Sequence, residues 1–215
     1  MANSGRYANG VAKREEILVK ALEVIGRTGP RAAYLTNIAD AVGLTPAGLL
    51  HYFDSKEELF TEILRKRDEV DKAQYWPKAS EAEDLAHLRR GYVDIISHNA
   101  QVPGLVQLFT RLCADAPDPG HPAHRLFRER GERLRAYFAD GIRKLQEAGK
   151  IDPALDPAML ARVLQAVADG LQLQWMIEPE VDMAAGVDAL FALLTPGKGD
   201  GPADEESAGP NGRSR

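Results

Sequence analysis

Between Thr36 and Lys56 the chain gathers side chains suited to gripping a nucleic-acid groove. Thr45, Pro46, Ala47, Gly48, His51 and Tyr52 fall close together, with Thr36 before them and Lys56 after them. The chemistry such residues offer is hydrogen bonding to phosphate oxygens and base edges, not bond making. Ala47 and Gly48 are small enough to let a helix sit deep in a major groove. His51 and Tyr52 can reach phosphates or bases, and Lys56 adds a positive charge at a helix start where phosphate is already favoured.

The elements that must position these residues are legible around them. Thr36 reads as the N-cap of a helix whose inward face is Ile38, Ala39 and Val42. Gly43 supplies the backbone freedom that ends it. Thr45 then caps a second helix with Pro46 at its first position, running to about Phe53 with Leu49 and Phe53 inward. Ser55 and Glu58 have capping-box spacing and open a third helix. Helix, tight glycine turn and short second helix are the sequence form of a helix-turn-helix.

The stretch resembles the TetR family of transcriptional regulators. The resemblance is carried by Thr36, Ile38-Ala39, Val42-Gly43-Leu44-Thr45, Leu49, His51-Tyr52-Phe53 and Ser55-Lys56-Glu57-Glu58-Leu59. It departs from the family's pattern at Ala47, where Gly is common, and at Leu50, where an aromatic residue is common. The resemblance implies a homodimer that binds a palindromic operator, with Thr36, Thr45, Pro46, Ala47, Gly48, His51, Tyr52 and Lys56 on the DNA. It also implies a ligand cavity among the later helices, and release from DNA by a small apolar or amphipathic molecule.

Composition supports this without proving it. At 215 residues, 44% hydrophobic and 27% charged, the chain can bury a sizeable core as an ordinary globular protein. The net charge of −5 is divided unevenly. Residues 1–56 carry seven Lys/Arg against five Asp/Glu, a net +2, and the remainder 20 against 27, a net −7. One cysteine, no apolar h-region and no bilayer-length apolar run predict a cytoplasmic protein without membrane contact.

The expected architecture is all-α. Residues 1–10 read as a flexible arm, 11–54 as the helix-turn-helix domain, 55–195 as a helical ligand-binding and dimerisation domain, and 196–215 as a disordered tail rich in Gly, Pro, Ser and charge. A first helix from about Val11 to Thr28 buries Ile17, Leu18, Ala21, Leu22 and Ile25. The helix opened by Ser55 runs to about Tyr75, before Trp76-Pro77. In the resembled family its tilt sets the spacing of the two reading heads. Ser80 and Glu83 form another capping box before a helix to about Asn99. Further helices start at Pro103 and at about Pro122, the latter ending at Gly149.

The helix opened by Asp156-Pro157 carries two apolar stripes. Leu160, Leu164, Val167, Leu171 and Trp175 make one; Met159, Val163, Ala166, Gly170, Leu173 and Ile177 make the other. Arg162, Gln165, Asp169 and Gln172 form a polar strip. A surface helix needs one apolar stripe, so the second suggests a partner. Val163, Ala166, Gly170 and Leu173, with Val187, Leu190, Phe191 and Leu194 of the last helix, are the expected dimer contacts. The resembled family pairs through two such terminal helices.

Tyr92, Phe109, Cys113, Phe127, Tyr137 and Trp175 are candidates for the implied ligand cavity, with His98, Asn99, Gln107 and Gln172 as polar neighbours. Cys113 otherwise reads as a small core residue. His121 and His124 have metal-like spacing but no cysteine partner, and read as loop and helix-start residues. The arginines from Arg125 to Arg135 alternate with Glu129 and Glu132 and read as a solvated face. No catalytic set, metal site or cofactor motif is present, which disfavours an enzyme. The competing reading is a helical small-molecule-binding or dimerising interaction protein without specific DNA binding.

Overall fold

A computed structural model describes residues 2–27, 34–75 and 85–194, with side chains from Asn9 onward. The described residues are helical and contain no strand: α1 Ala2–Arg27, α2 Tyr34–Ala41, α3 Pro46–Leu50, α4 Lys56–Tyr75, α5 Leu85–Asn99, α6 Pro103–Asp115, α7 Ala123–Glu147, α8 Pro157–Ile177 and α9 Met183–Leu194. No helix among them is long and apolar enough to cross a membrane. The capping box at Ser80 and the tail from Pro196 lie outside the described residues.

The local signals act as their chemistry demands. Gly43 ends α2 at φ +68° and Gly149 follows α7 at the same value. The Gly48 N–H donates to Thr45 Oγ1 at 3.0 Å, and Pro46 occupies the first turn of α3. The Glu58 N–H donates to Ser55 Oγ at 3.0 Å, while the Glu58 carboxylate accepts from the Asp54 N–H. Asp156 caps α8, its carboxylate accepting from the Ala158 N–H at 2.9 Å.

A Gly43→Ala chain tests the turn. A Cβ there would meet nothing within 4 Å, so the cost is purely conformational. An L-residue held at that φ should lose about 1–2 kcal/mol, read as a lowered urea midpoint with an unchanged m-value.

Four sequence expectations need correction. α1 starts at Ala2, so residues 2–10 of the expected arm are helical. α2 begins at Tyr34, which places Thr36 inside its first turn, exposed, and not at the cap. α3 ends at Leu50, and His51 and Tyr52 form a turn leading to α4. Arg14 of α1 secures that turn: its guanidinium donates to the Tyr52 carbonyl at 2.6 Å and to Glu58 Oε1 at 2.7 Å, 4.3 Å above the Phe53 ring. The fourth is α9, whose Val187, Phe191 and Leu194 are buried in the chain's own core against α5 and α8, so these three side chains do not face a partner. Leu190 is only partly buried there.

Two cores hold the molecule. The first joins Ile17, Ala21 and Ile25 of α1, Ile38 of α2, Leu49, and Leu59 and Ile63 of α4 to Leu105, Leu108, Phe109 and Leu112 of α6. The helix-turn-helix is thereby packed directly on α6, and the Tyr34 hydroxyl donates to Gln107 Oε1 at 3.0 Å across that contact. The second core packs α5, α7, α8 and α9 around Phe138, Ile142, Leu164 and Phe191.

Candidate nucleic-acid interface and internal cavity

The Thr45 cap and the Arg14 clamp fix α3 so that its inner residue, Leu49, is fully buried and its outer residues meet solvent. Thr36, Thr45, Pro46, Ala47, His51 and Lys56 are exposed; Gly48 and Tyr52 are half-buried. A Cβ on Gly48 would come within 3.2 Å of Thr45 Oγ1, so the glycine also makes room for the cap. The Tyr52 ring stands edge-on to His51, centroids 6.1 Å apart. Lys56 lies 5.5 Å over the Phe60 ring. Burial alone would raise the Glu58 carboxyl, but the Arg14 hydrogen bond, the Asp54 N–H and the Arg14 charge outweigh it and hold Glu58 below the usual carboxylate range. Glu58 therefore stays ionised beside Arg14, and the turn that carries His51 stays anchored.

A cavity of about 250 Å³ opens between α4, α5 and α7, lined by Asp68, Asp71, Lys72, Ile95, Arg130, Arg133, Leu134 and Tyr137. A void of about 20 Å³ sharing Asp68, Asp71, Ile95 and Arg130 continues it inward to Leu64, Arg67, Asn99, Phe109, Leu126, Phe127 and Gln172. The charges along it are paired. Arg67 Nε lies 3.4 Å from Asp71 Oδ2, and Arg67 Nη2 donates to Asn99 Oδ1. Arg130 Nε donates to Asp68 Oδ1 at 3.1 Å, with its guanidinium 4.9 Å over the Phe109 ring. Behind it Asp169 accepts from Gln165, whose own carbonyl accepts from Arg135 at 3.0 Å. Burial pushes Asp71 up against the opposing pull of Arg67, and pushes Asp169 up against Arg130.

The expected cavity residues divide three ways. Tyr137 lines the larger cavity, whereas Phe109, Phe127, Asn99 and Gln172 line only the small void inward of it. Tyr92 and Trp175 instead pack in or against the second core, where the Tyr92 hydroxyl donates to the Leu164 carbonyl at 3.4 Å. Cys113 is exposed, which corrects both its core and its cavity assignment. It sits beside the inward stripe of Leu105, Leu108, Phe109 and Leu112, at an angle that turns it out. His98 stacks near Tyr75, centroids 5.3 Å apart.

Sequence reading missed the charged lining. Arg130 belongs to no solvated face, and the strip on α8 is not an outer one: Gln172 is buried and Asp169 half-buried. The available signal was periodic. Leu59, Ile63, Arg67 and Asp71 are four apart and all buried, so the inward stripe of α4 continues in charge where its apolar residues stop. His121 Nδ1 accepts from the Ala123 N–H at 3.1 Å and His124 bonds the Ala116 carbonyl at 2.8 Å, which fits a loop and helix-start role for both.

On α8 the outer stripe is uncovered. Met159 is 56% exposed, Leu173 50% and Ile177 79%; Val163 and Ala166 are also exposed, and a Cβ on Gly170 would meet nothing within 4 Å. The opposite face buries Ala161, Leu164, Ala168 and Gln172.

Comparison with known proteins agrees with this geometry at both ends of the chain. Residues 17–63 match the model of bacterial regulatory proteins of the tetR family, and residues 120–195 that of the BetI-type transcriptional repressor C-terminal region. The HTH-type transcriptional regulator YjdC of Escherichia coli (strain K12) is 27% identical over 179 residues, 80% of this chain and 89% of its own. The HTH-type transcriptional repressor KstR2 of Mycobacterium tuberculosis (strain ATCC 25618 / H37Rv) is 28% identical over 164 residues, covering 72% and 76%. Among solved structures, a TetR transcription regulator from Haloarcula marismortui superposes with a TM-score of 0.68 at 18% identity, covering 86% of this chain and 97% of that one. A capped helix-turn-helix packed on a helical regulatory body, matched by family models over both parts, makes this chain a member of the TetR family of transcriptional regulators.

Proposed function

We propose that the protein is a dimeric repressor that holds a palindromic operator with two copies of α3 and releases it when a small molecule enters the α4–α5–α7 cavity. The observation that carries this reading is the shared packing. α4 lines the cavity, α6 reaches the small void inward of it through Phe109, and both helices belong to the core of the helix-turn-helix. A ligand that changes the spacing of Asp68 from Arg130, or the seat of Phe109, acts on helices that carry the reading heads. Release then requires that the ligand bind the non-matching dimer geometry more tightly than the matching one.

On the DNA side, Thr45, Pro46, Ala47, Gly48, His51 and Tyr52 enter the major groove, and Lys56 and Thr36 take phosphates. The outer stripe of α8 supplies the dimer interface through Val163, Ala166, Gly170 and Leu173.

Capture of genomic fragments by the purified chain, followed by sequencing, tests the reading: a palindrome should be enriched. The His51→Ala, Lys56→Ala double variant should then bind that palindrome more weakly. Its salt dependence should fall by about one unit of log K per log salt for each phosphate the variant no longer neutralises. Unchanged affinity and slope would place the DNA face elsewhere.

A further inference from the structure

The cavity carries more positive than negative charge. Its lining holds Arg67, Lys72, Arg130 and Arg133 against Asp68 and Asp71. Arg67 is matched by Asp71 and Arg130 by Asp68. Asp169 lies behind Arg130, held by Gln165. Of the carboxylates outside the lining, Glu69 pairs with Lys66, Glu129 with Arg125 and Glu132 with Arg128, while Asp94, next to Ile95 in the sequence, is exposed. Lys72 and Arg133 remain. Both are exposed, both line the open part of the cavity, and neither makes an ion pair among the described residues. Beside them the wall is apolar, formed by Ile95, Leu134 and the Tyr137 ring.

We infer that the effector is a small amphipathic carboxylate whose acid group sits between Lys72 and Arg133 and whose short aliphatic or aromatic body lies on Ile95, Leu134 and Tyr137. This rests on the cavity being the effector site of the proposed repressor. An arginine fork and a lysine point charge together suit a carboxylate. A cationic ligand would face Lys72 and Arg133, and the lining carboxylates among the described residues, Asp71 and Asp68, are already held by Arg67 and Arg130. The volume of about 250 Å³ falls below the roughly 300–1,000 Å³ common for drug-sized ligands, which selects a small body. Lys72 and Arg133 stand one helical turn beyond Asp68 and Arg130 on the same two helices, so an anion seated between them acts on the field around the Arg130–Asp68 pair. The Arg130–Asp68 pair is a direct polar tie between α4 and α7, so the anion loosens the helix that carries the reading head.

The test uses the full chain and three probes of one shape: octanoate, octanamide and octylamine, with butanoate, hexanoate, decanoate and benzoate to vary the body. Binding is measured by calorimetry and by the shift of the melting temperature. Octanoate or another carboxylate should bind at least about tenfold more tightly than the amide and the amine. The Lys72→Gln, Arg133→Gln double variant should lose about tenfold in carboxylate affinity while its binding of the amide stays level. Arg133→Lys, which keeps the charge, should retain most of the affinity. Equal or tighter binding of octylamine or octanamide, no binding of any carboxylate, or undiminished binding by the double variant overturns the inference. Retention of genomic DNA without any probe is measured in parallel. Its failure would count against the repressor reading itself, whereas intact DNA retention with no carboxylate preference would remove only the effector class.

Discussion

A Leu173→Arg chain should fold normally, run as a monomer and bind its operator about a hundredfold or more weakly than the wild type. Leu173 sits in the C-terminal part of the outer stripe of α8, half exposed, between open Gly170 and Ile177. With Met159, Val163 and Ala166 it makes a continuous apolar strip along one helix, of a kind that monomeric proteins seldom leave open. A two-fold interface uses the same patch on both copies, so one substitution introduces two arginines, both desolvated on closure and both positive. The side chain contributes nothing to the buried face of α8, which is Ala161, Leu164, Ala168 and Gln172. Circular dichroism and melting temperature should therefore change little. The DNA effect follows from losing the second half-site: tethering two modest binders raises avidity by roughly 10²–10⁴, and a monomer forfeits it. Light scattering reads the mass and a binding titration the affinity. A variant that stays dimeric would move the interface off α8.

How much of this was legible in the sequence depended on how local each cause is. Gly43, Thr45, Pro46, Ser55 and Glu58 act within a few residues of themselves, so the helix-turn-helix is readable without a structure. The end of α3 is not, because Tyr52 is held from outside by Arg14, 38 residues earlier. The double stripe of α8 was readable as two faces, and its outer face is uncovered. α9 was misread because helices apolar on several sides do not announce their neighbours: Val187, Phe191 and Leu194 turn inward to α5 and α8 while Leu193 is 81% exposed. The cavity was legible only through its aromatic residues. Its charges looked like surface, since a single sequence shows Arg67, Asp71 and Arg130 on their helices but not the partners that let them be buried.

Those partners set a large expected effect on stability. An Arg67→Ala substitution should cost about 3–5 kcal/mol at neutral pH, because it strands Asp71 and Asn99 inside the protein. Both ends of the Arg67–Asp71 pair are about nine-tenths buried, so solvent cannot replace the missing guanidinium. The deficit should depend on pH with a definite sign. In the wild type burial raises Asp71 and Arg67 pulls it down; His98 and Arg130 assist Arg67, and Asp68 opposes them. Without Arg67 the largest lowering cause is gone, and only the smaller pulls of His98 and Arg130 oppose burial. A carboxyl whose folded pKa is raised contributes stability below its unfolded pKa and loses it as pH climbs through the folded value. The variant should therefore lie closest to wild type in acid and fall away as pH rises past the ordinary carboxylate range. Urea midpoints across pH measure this. The paired Arg67→Met, Asp71→Leu chain removes both charges at similar volume and should recover most of the loss. Recovery of folding in the double variant, joined to loss of carboxylate-driven release from DNA, would separate the two roles of this pair. Its net contribution to stability is then small, and what it supplies is the polar end of α4 against which an incoming anion can act.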